Sequence, residues 1–186
     1  VTINFNNDDG LRRTINDYLM QDYENKELVI IDGHSKDNSK KIIEENHSNI
    51  DFSISEKDKG IYDAMNKGVK YSTGDWIIFM NSGDEFADTN VLKNINFCTE
   101  AQIIYGKNKN SEKVIEPRNI KSLKNGEIFA CHQSMLFQKS LFFEGFNYDD
   151  SLLINGDYEL CCKLYKNKKR FHYQDLIISK TEGNGV

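Results

Sequence analysis

Short apolar runs alternate with amphipathic segments through the first half of the chain. The runs at residues 1–5, 28–31, 52–55 and 76–80 are β-prone, and the second run is apolar at every position before Asp32. Strands that are apolar throughout are typical of a parallel sheet that is covered on both faces. The four runs therefore predict strands of a buried sheet.

Three segments between these strands carry apolar side chains at helical spacing. A turn-forming sequence at residues 6–10 precedes the first of them. Helices that alternate with strands predict an α/β fold. The three apolar stripes are Leu11, Ile15, Tyr18 and Leu19, then Ile42 and Ile43, then Ile61, Ala64, Met65 and Val69.

The alternation weakens beyond about residue 98. Residues 103–105 and 135–137 have the pattern of strands, residues 158–165 that of a helix, and residues 171–178 that of closing strands. The second half is therefore predicted to be mixed.

Length and composition favour a single domain, residues 1–186. The chain has 38% hydrophobic and 11% aromatic residues, one proline and no low-complexity linker, which is enough apolar content to bury a core. It begins at Val1 inside a strand-like run without an initiating methionine, and we expect a fragment of a longer protein.

Charge and cysteine content disfavour several classes of protein. A net charge of −5 with interspersed signs predicts no basic patch for nucleic acid. No apolar run reaches the roughly 20 residues that span a bilayer, so the protein is expected to be soluble and at most peripheral to a membrane. The cysteines form no C-x-x-C pair and predict reduced, cytosolic thiols. They are Cys98, Cys131, Cys161 and Cys162.

Polar residues follow each predicted strand. Ligands of open parallel sheets bind beyond the carboxyl ends of the strands, where loops converge. We interpret Asp37, Asn38 and Asp88 as helix caps or turn residues. The remaining candidates are Asn6, Asn7, Asp32, Glu56, Asp58 and the run Asn81-Ser82-Gly83-Asp84.

Asp32 and Asp84 directly follow buried strands and are expected to face one crevice. Two carboxylates there would repel each other unless a ligand or cation lay between them. A nucleotide diphosphate adds negative charge, which predicts a hard cation with oxygen ligands, Mn²⁺ or Mg²⁺. The absence of G-x-G-x-x-G and G-x-x-x-x-G-K-[ST] motifs disfavours a dehydrogenase or a P-loop nucleotidase.

Four motifs in order resemble the family 2 glycosyltransferases of the GT-A fold, especially bacterial enzymes that build surface polysaccharides. They read TINFNN at residues 2–7, VIIDGHSKD at 29–37, SEKDKGIYDAMNKG at 55–68 and GDWIIFMNSGD at 74–84. The resemblance implies a GT-A nucleotide-diphospho-sugar transferase fold with a mostly parallel central sheet, flanking helices and a mixed second half.

The resemblance also implies a division of the chain and a nucleotide site. Residues 1–98 would bind the nucleotide sugar, and residues 99–186 the acceptor. The residues that would contact the nucleotide are Phe5, Asn6, Asp32, Asp58 and Asn81, with Asp32 able to accept the N3–H of uracil.

Family members usually carry an Asp-x-Asp or Asp-Asp signature after the fourth strand, where this chain has a single carboxylate, Asp84. Asp84 is therefore the predicted metal ligand. An acidic residue that opens a helix in the second half is the family's catalytic base, which corresponds to Asp157. A surface aspartate at a helix N-terminus is the alternative interpretation. His132 and Gln133 would contact the acceptor or else serve structural packing.

By resemblance, the chain would be an inverting glycosyltransferase of the hexosyltransferase type. It would use a nucleotide-sugar donor, with UDP as the default nucleotide, and a saccharide or lipid-linked saccharide acceptor. It would work in the cytoplasm, at the inner face of the cell membrane. Two alternatives stay open, a non-catalytic nucleotide-sugar-binding protein and a nucleotidyltransferase.

Overall fold

A computed structural model describes residues 1–97, 100–111 and 113–181 of the chain. Cys131, Cys161 and Cys162 are free thiols in it. Cys98 and the predicted boundary between residues 98 and 99 lie outside the described residues.

The strands form a parallel sheet and a mixed sheet. Strands β1, β2 and β3 pair in parallel, whereas the mixed sheet has the order β4-β8-β6-β9-β5, with β7 paired to β6. The strands are β1 (Thr2–Asn4), β2 (Val29–Asp32), β3 (Phe52–Ser55), β4 (Trp76–Ile78), β5 (Glu85–Phe86), β6 (Ile103–Asn110), β7 (Lys113–Ile115), β8 (Met135–Gln138) and β9 (Phe171–Thr181).

Backbone hydrogen bonds join the two sheets beside β1. The amide of Met80 donates to the carbonyl of Val1 at 2.9 Å, and the amide of Ser82 donates to the carbonyl of Ile3 at 3.1 Å. The chain that leaves β4 therefore runs alongside β1. As a result, the turn that follows β4 lies at the same edge as the carboxyl ends of β1, β2 and β3.

Helices cover the parallel sheet on both faces, as the apolar runs predict. On one face, Ile30 of β2 packs in a cluster with Leu11 and Ile15; on the other, Ile31 packs with Met65. Each fully buried isoleucine contributes roughly 1.5–3 kcal/mol. The helices are α1 (Asp8–Met20), α2 (Ser39–Glu45), α3 (Ile61–Tyr71), α4 (Val91–Asn94), α5 (Ser140–Phe143) and α6 (Gly156–Lys166).

The second half is mixed, as predicted, but its pairings are not apparent from the sequence. Strand β4 pairs antiparallel with β8, and β9 is one strand of 11 residues that pairs in parallel with β6. A Cβ atom at Gly106 would lie 2.5 Å from the carbonyl oxygen of Leu176, so glycine permits this close approach. No helix within the described part of the chain is long and apolar enough to cross a membrane.

Candidate active site

Asp32 lies at the end of β2 and is completely buried. Its carboxylate accepts hydrogen bonds from Asn4 Nδ2 at 2.7 Å, from the Ser35 hydroxyl at 2.5 Å and amide at 3.1 Å, and from the Ser55 hydroxyl at 2.5 Å. Burial raises the pKa of Asp32, but these donors outweigh burial and hold the pKa below its usual value. Four donors match the four lone-pair sites of a carboxylate. Asp32 therefore ties the strand ends together, and a bond to a nucleotide base would displace one donor.

Phe5, Gly33 and Asp58 lie close together beside this network; we call this group the front crevice. The Phe5 side chain is 66% exposed. A Cβ atom at Gly33 would lie 2.7 Å from Asp58 Oδ2 and 3.1 Å from Phe5 Cδ2, so the three residues meet. Asp58 Oδ1 accepts from the Gly60 amide at 3.1 Å. Partial burial raises the pKa of Asp58, against the effects of that amide and of Lys67.

Asn6 shapes the loop that presents Phe5. Its backbone is in the left-handed region, with φ of 49°. Its amide donates to the Ser35 hydroxyl at 2.8 Å, and its side-chain oxygen accepts from the Lys36 amide at 2.8 Å. The predicted nucleotide contact of Asn6 thus falls on a residue that also holds the loop in place.

Thr14 of α1 holds the turn at residues 81–84. Its hydroxyl donates to the carbonyl of Asp84 at 2.8 Å, lies 3.2 Å from the carbonyl of Asn81, and accepts from the Gly83 amide at 3.0 Å. Gly83 has φ of 104°, a conformation that side chains rarely adopt. The turn is therefore fixed by a residue 67 to 70 positions earlier in the chain.

The same turn is tied to the front crevice. Asn7 lies two residues after Phe5 of the front crevice, and its Nδ2 atom donates to the Ser82 carbonyl at 2.8 Å. Two buried polar atoms of the turn, Asn81 Oδ1 and Ser82 Oγ, have no hydrogen-bond partner among the residues that the structure describes. A buried amide oxygen without a partner at this position can interact with a bound ligand, ion or water.

These residues fit a divalent cation that is held mainly by its substrate. Within residues 1–97, 100–111 and 113–181, no group of three His, Cys, Asp or Glu side chains could hold a metal ion. The turn does offer the carboxylate of Asp84 and the orphaned oxygen of Asn81. Oxygen ligands of this kind suit Mg²⁺ and Mn²⁺, which often complete their shell with substrate phosphates and water.

Asp84 and Asp157 both act electrostatically on the half-buried thiol of Cys131. Gln133 Nε2 donates to Asp84 Oδ2 at 2.9 Å, and the Cys131 thiol donates to Gln133 Oε1 at 3.0 Å. Burial, followed by the negative charges of Asp84 and Asp157, raises the pKa of Cys131 to about 11. The predicted metal ligand and the predicted base therefore both lie within electrostatic range of Cys131.

His132 is buried inside the protein. Its Nε2 atom is 2.6 Å from the Tyr148 hydroxyl, and its ring packs on Phe79 with 5.3 Å between centroids. Burial lowers the pKa of His132, while the charge of Asp157 opposes that shift. The contacts of His132 therefore fit structural packing. Of the two acceptor-side candidates, Gln133 is the one that lines a cavity.

A cavity of about 620 Å³ opens beside Asp84; we call it the side cavity. Amide, charged and aromatic side chains line it, a combination that suits a sugar. Its lining includes Asp84, Asn108, Arg118, Phe129, Cys131 and Gln133.

Three residues of this region have no local signal in the sequence. Thr14 lies within a helix, Tyr148 in an irregular segment, and Tyr62 on the apolar stripe of α3. Each is identified only by contacts with residues far away in the chain. The roles of the residues that the sequence predicts for the site stay predictions.

Known glycosyltransferases resemble the chain in sequence. An uncharacterized glycosyltransferase of Mycobacterium tuberculosis (strain ATCC 25618 / H37Rv) is 37% identical over 93 residues, which are 50% of this chain and 36% of the relative. The Escherichia coli UDP-Glc:alpha-D-GlcNAc-diphosphoundecaprenol beta-1,3-glucosyltransferase WfgD is 32% identical over 133 residues, which are 65% of this chain and 53% of the relative. The chain thus spans about a third to a half of these relatives.

Solved structures share the fold. S. aureus TarS 1-349 in complex with UDP superposes with a TM-score of 0.82 at 17% identity, over 98% of this chain and 59% of TarS 1-349. The mannosyltransferase PcManGT from Pyrobaculum calidifontis, in complex with GDP-Man and Mn²⁺, superposes with a TM-score of 0.73 at 13% identity, over 98% of this chain and 56% of PcManGT. These structures confirm the GT-A fold.

The family model described as glycosyl transferase family 2 matches residues 1–146, well over half of the chain. The match includes all four motifs and the turn that carries Asp84. The chain belongs to glycosyl transferase family 2.

Proposed function

We propose that the chain transfers a hexose from a nucleotide-sugar donor to an acceptor hydroxyl, with inversion at the anomeric carbon, during synthesis of a bacterial surface polysaccharide. One observation carries the proposal. The loop after β1, which carries Phe5, and the turn that carries Asp84 lie at one edge of the parallel sheet, and the hydrogen bond from Asn7 to Ser82 links them. A nucleotide in the front crevice would place its diphosphate beside Asp84.

The front crevice is proposed to bind the base. The exposed Phe5 ring offers a stacking face, and among the described residues only the Gly60 amide is seen to donate to the Asp58 carboxylate. That carboxylate can accept the N3–H of uracil. The name of WfgD, which specifies UDP-Glc, and the complexes of TarS with UDP and with UDP-GlcNAc favour uridine. Asn81 is proposed to contact the ribose or a water.

Asp84 is proposed to hold Mn²⁺ or Mg²⁺, with phosphate oxygens of the donor and water completing the ligand shell. The cation, when bound, would neutralise charge on the departing diphosphate. The Mn²⁺ named with PcManGT supports this assignment. Gln133 orients the Asp84 carboxylate through its hydrogen bond to Oδ2.

Asp157 is proposed to be the base. Its carboxylate takes the proton of the acceptor hydroxyl while that oxygen attacks the anomeric carbon. The bond from the anomeric carbon to the diphosphate oxygen breaks, and the nucleoside diphosphate leaves on the opposite face of the sugar. This displacement inverts the anomeric configuration. The charges of Asp157 and Asp84 both raise the pKa of Cys131, which supports a base and a metal ligand in one region.

The side cavity is proposed to bind the acceptor saccharide. Its volume of about 620 Å³ and its mixture of amide and aromatic groups suit one or two sugar rings. A lipid-linked acceptor is proposed because WfgD, by its name, acts on a diphosphoundecaprenol-linked sugar.

Association with the cytoplasmic face of a membrane is part of the proposal. In contrast to the interspersed charges of the sequence, the fold gathers lysines around an apolar groove of about 640 Å³, which we call the lysine groove. An anionic bilayer complements this charge, at about 1 kcal/mol for each lysine near the surface. The groove is lined by Ile120, Leu123, Lys124, Cys162, Tyr165, Lys166, Lys168, Lys169 and Phe171.

A second candidate is a donor-binding protein without transfer activity. The turn at residues 81–84 has only one carboxylate, and this observation favours weak metal binding. Both candidates predict donor binding, and only transfer or metal-dependent donor hydrolysis separates them.

Thermal unfolding with a panel of nucleotide sugars, each with and without Mn²⁺, tests the proposal. A bound donor at 100 times its Kd adds about 2.7 kcal/mol of stability, which is roughly 5–10 °C in Tm for a domain of this size. We expect a shift for uridine donors that Mn²⁺ enlarges. No shift with any donor would refute the proposal, and a shift with guanosine donors alone would refute the choice of uridine.

A further inference from the structure

The first turn of α6, which carries Asp157, lacks an ordinary N-terminal cap. Asn155 precedes the helix with φ of 63°, and its side chain makes no capping hydrogen bond. The first intrahelical bond runs from the Glu159 amide to the Asn155 carbonyl at 3.0 Å. The amides before Glu159 therefore need acceptors from elsewhere in the protein.

Tyr62 of α3 lies against this unprotected turn. A Cβ atom at Gly156 would lie 2.7 Å from Tyr62 Cε2 and Cζ and 2.8 Å from Cε1, so the ring rests directly on the Gly156 backbone. Because Cζ carries the hydroxyl, the hydroxyl also lies close to this turn; burial raises the pKa of Tyr62, and the backbone amides of Gly156 and Asp157 oppose that shift. Only glycine leaves room for this contact.

The same face of α3 holds the preceding segment. Asn66, one helical turn after Tyr62, donates from Nδ2 to the Tyr148 carbonyl at 2.9 Å and accepts from the Tyr148 amide at 3.1 Å. The Tyr62 and Tyr148 rings stack with 5.8 Å between centroids and 11° between planes. Two residues of α3 therefore fix the chain both before and at the start of α6.

Building on the function proposed above, we infer that Tyr62 is a positioning residue for Asp157. Its ring supports the Gly156 backbone, and its hydroxyl holds the first amides of α6 so that the Asp157 carboxylate keeps its direction. A base that is misplaced by about 1 Å loses on the order of 100-fold in rate. Donor binding, which depends on the front crevice and on Asp84, does not involve this contact.

Tyr62→Phe tests the inference because it keeps the ring and removes only the hydroxyl. We expect kcat to fall roughly 10- to 100-fold, with the donor Kd unchanged within about twofold and Tm changed by only a few degrees. Tyr71→Phe is the matched control: it lies on the same helix, its ring stacks on Phe52 at 4.1 Å, and its kcat should equal that of the wild type. An unchanged kcat in Tyr62→Phe would overturn the inference, as would a parallel loss of kcat, donor affinity and Tm.

Gly156→Ala approaches the same contact from the other side. The new methyl group pushes the Tyr62 ring away, so kcat should again fall while donor binding persists. Gly156→Ala already displaces the hydroxyl that Tyr62→Phe removes. The double variant should therefore lose less kcat than the product of the two single losses. Multiplicative losses would contradict a shared contact.

Amide hydrogen exchange needs no activity and separates this inference from the proposed function. Tyr62→Phe should speed exchange at Gly156 and Asp157, and Tyr71→Phe should not. If the wild type turned over no donor, the proposed function would fall, and exchange would still decide whether the hydroxyl holds the turn. Unchanged exchange in Tyr62→Phe would remove the contact.

Discussion

Replacing Gly33 with alanine places a methyl group inside the front crevice. The new Cβ atom would lie 2.7 Å from Asp58 Oδ2 and 3.1 Å from Phe5 Cδ2. Both neighbours are side chains, so each can turn away. The φ of Gly33 is outside the left-handed region, so the backbone itself accepts alanine. The substitution therefore displaces the two groups proposed to bind the base without straining the chain.

The loss can be estimated from the two contacts. Stacking on an aromatic ring contributes about 0.5–1.5 kcal/mol, and a hydrogen bond to a charged group about 1.5–3 kcal/mol. Since both groups move but are not removed, we expect roughly half of the sum, about 1.0–2.3 kcal/mol, or about 5- to 50-fold weaker binding of UDP. The free energy of unfolding should change by less than about 1 kcal/mol, because the displaced side chains are not part of the core.

Isothermal titration calorimetry with UDP and Mn²⁺ measures the affinity, and urea unfolding measures stability. Gly74→Ala is the matched control, because its Cβ atom would meet Glu27 Oε1 at 3.3 Å, and Glu27 belongs to neither the front crevice nor the side cavity. If Gly33→Ala bound UDP as tightly as the control, the front crevice would not be the base site.

Three further predictions concern other parts of the molecule. Asp84→Ala should remove the enhancement of donor binding by Mn²⁺ in calorimetry, while binding of the free nucleoside stays the same; a persistent Mn²⁺ effect would exclude Asp84 as the ligand. Asp32→Asn should lower the free energy of unfolding in urea at pH 7 by about 2–4 kcal/mol, since it weakens hydrogen bonds to a buried charge. Because the pKa of Asp32 is lowered in the fold, the stabilisation by its carboxylate is present above about pH 4 and is lost as pH falls further. Between pH 5 and 3, Asp32→Asn should therefore lose less free energy of unfolding than the wild type. Equal losses would contradict this role of Asp32. Lys166→Glu should reduce sedimentation with vesicles of anionic phospholipid at low salt, whereas Lys40→Glu on α2 should not; equal effects would remove the lysine groove as the membrane-binding face.

Local pattern was enough to predict the elements of the parallel half. Strand β3 was predicted at residues 52–55 and is found there, and the stripe that begins at Ile61 is the buried face of α3. These elements follow from short-range periodicity, because every second or every third to fourth residue faces the same core.

Pairings between distant segments could not be predicted in this way. The run at residues 76–80 indicates a strand but not its antiparallel partner β8, which lies about 60 residues further along the chain. The same holds for the site. Asp84 and Asp157 were expected from motif resemblance, and their roles stay predictions. The Thr14 contacts that hold the turn and the Tyr62 contact with Gly156 require the folded chain.

The central claim is that one site binds a nucleotide sugar and places a catalytic base opposite the sugar. The most direct test is to measure sugar transfer by the Asp157→Asn variant. The measurement is release of UDP and formation of glycosylated product, with a donor that binds in the thermal screen, Mn²⁺ and a lipid-linked saccharide acceptor. The account predicts that the wild type forms product, whereas Asp157→Asn binds the donor with unchanged affinity and forms at least about 100-fold less product. Wild-type rates of transfer in Asp157→Asn would contradict it.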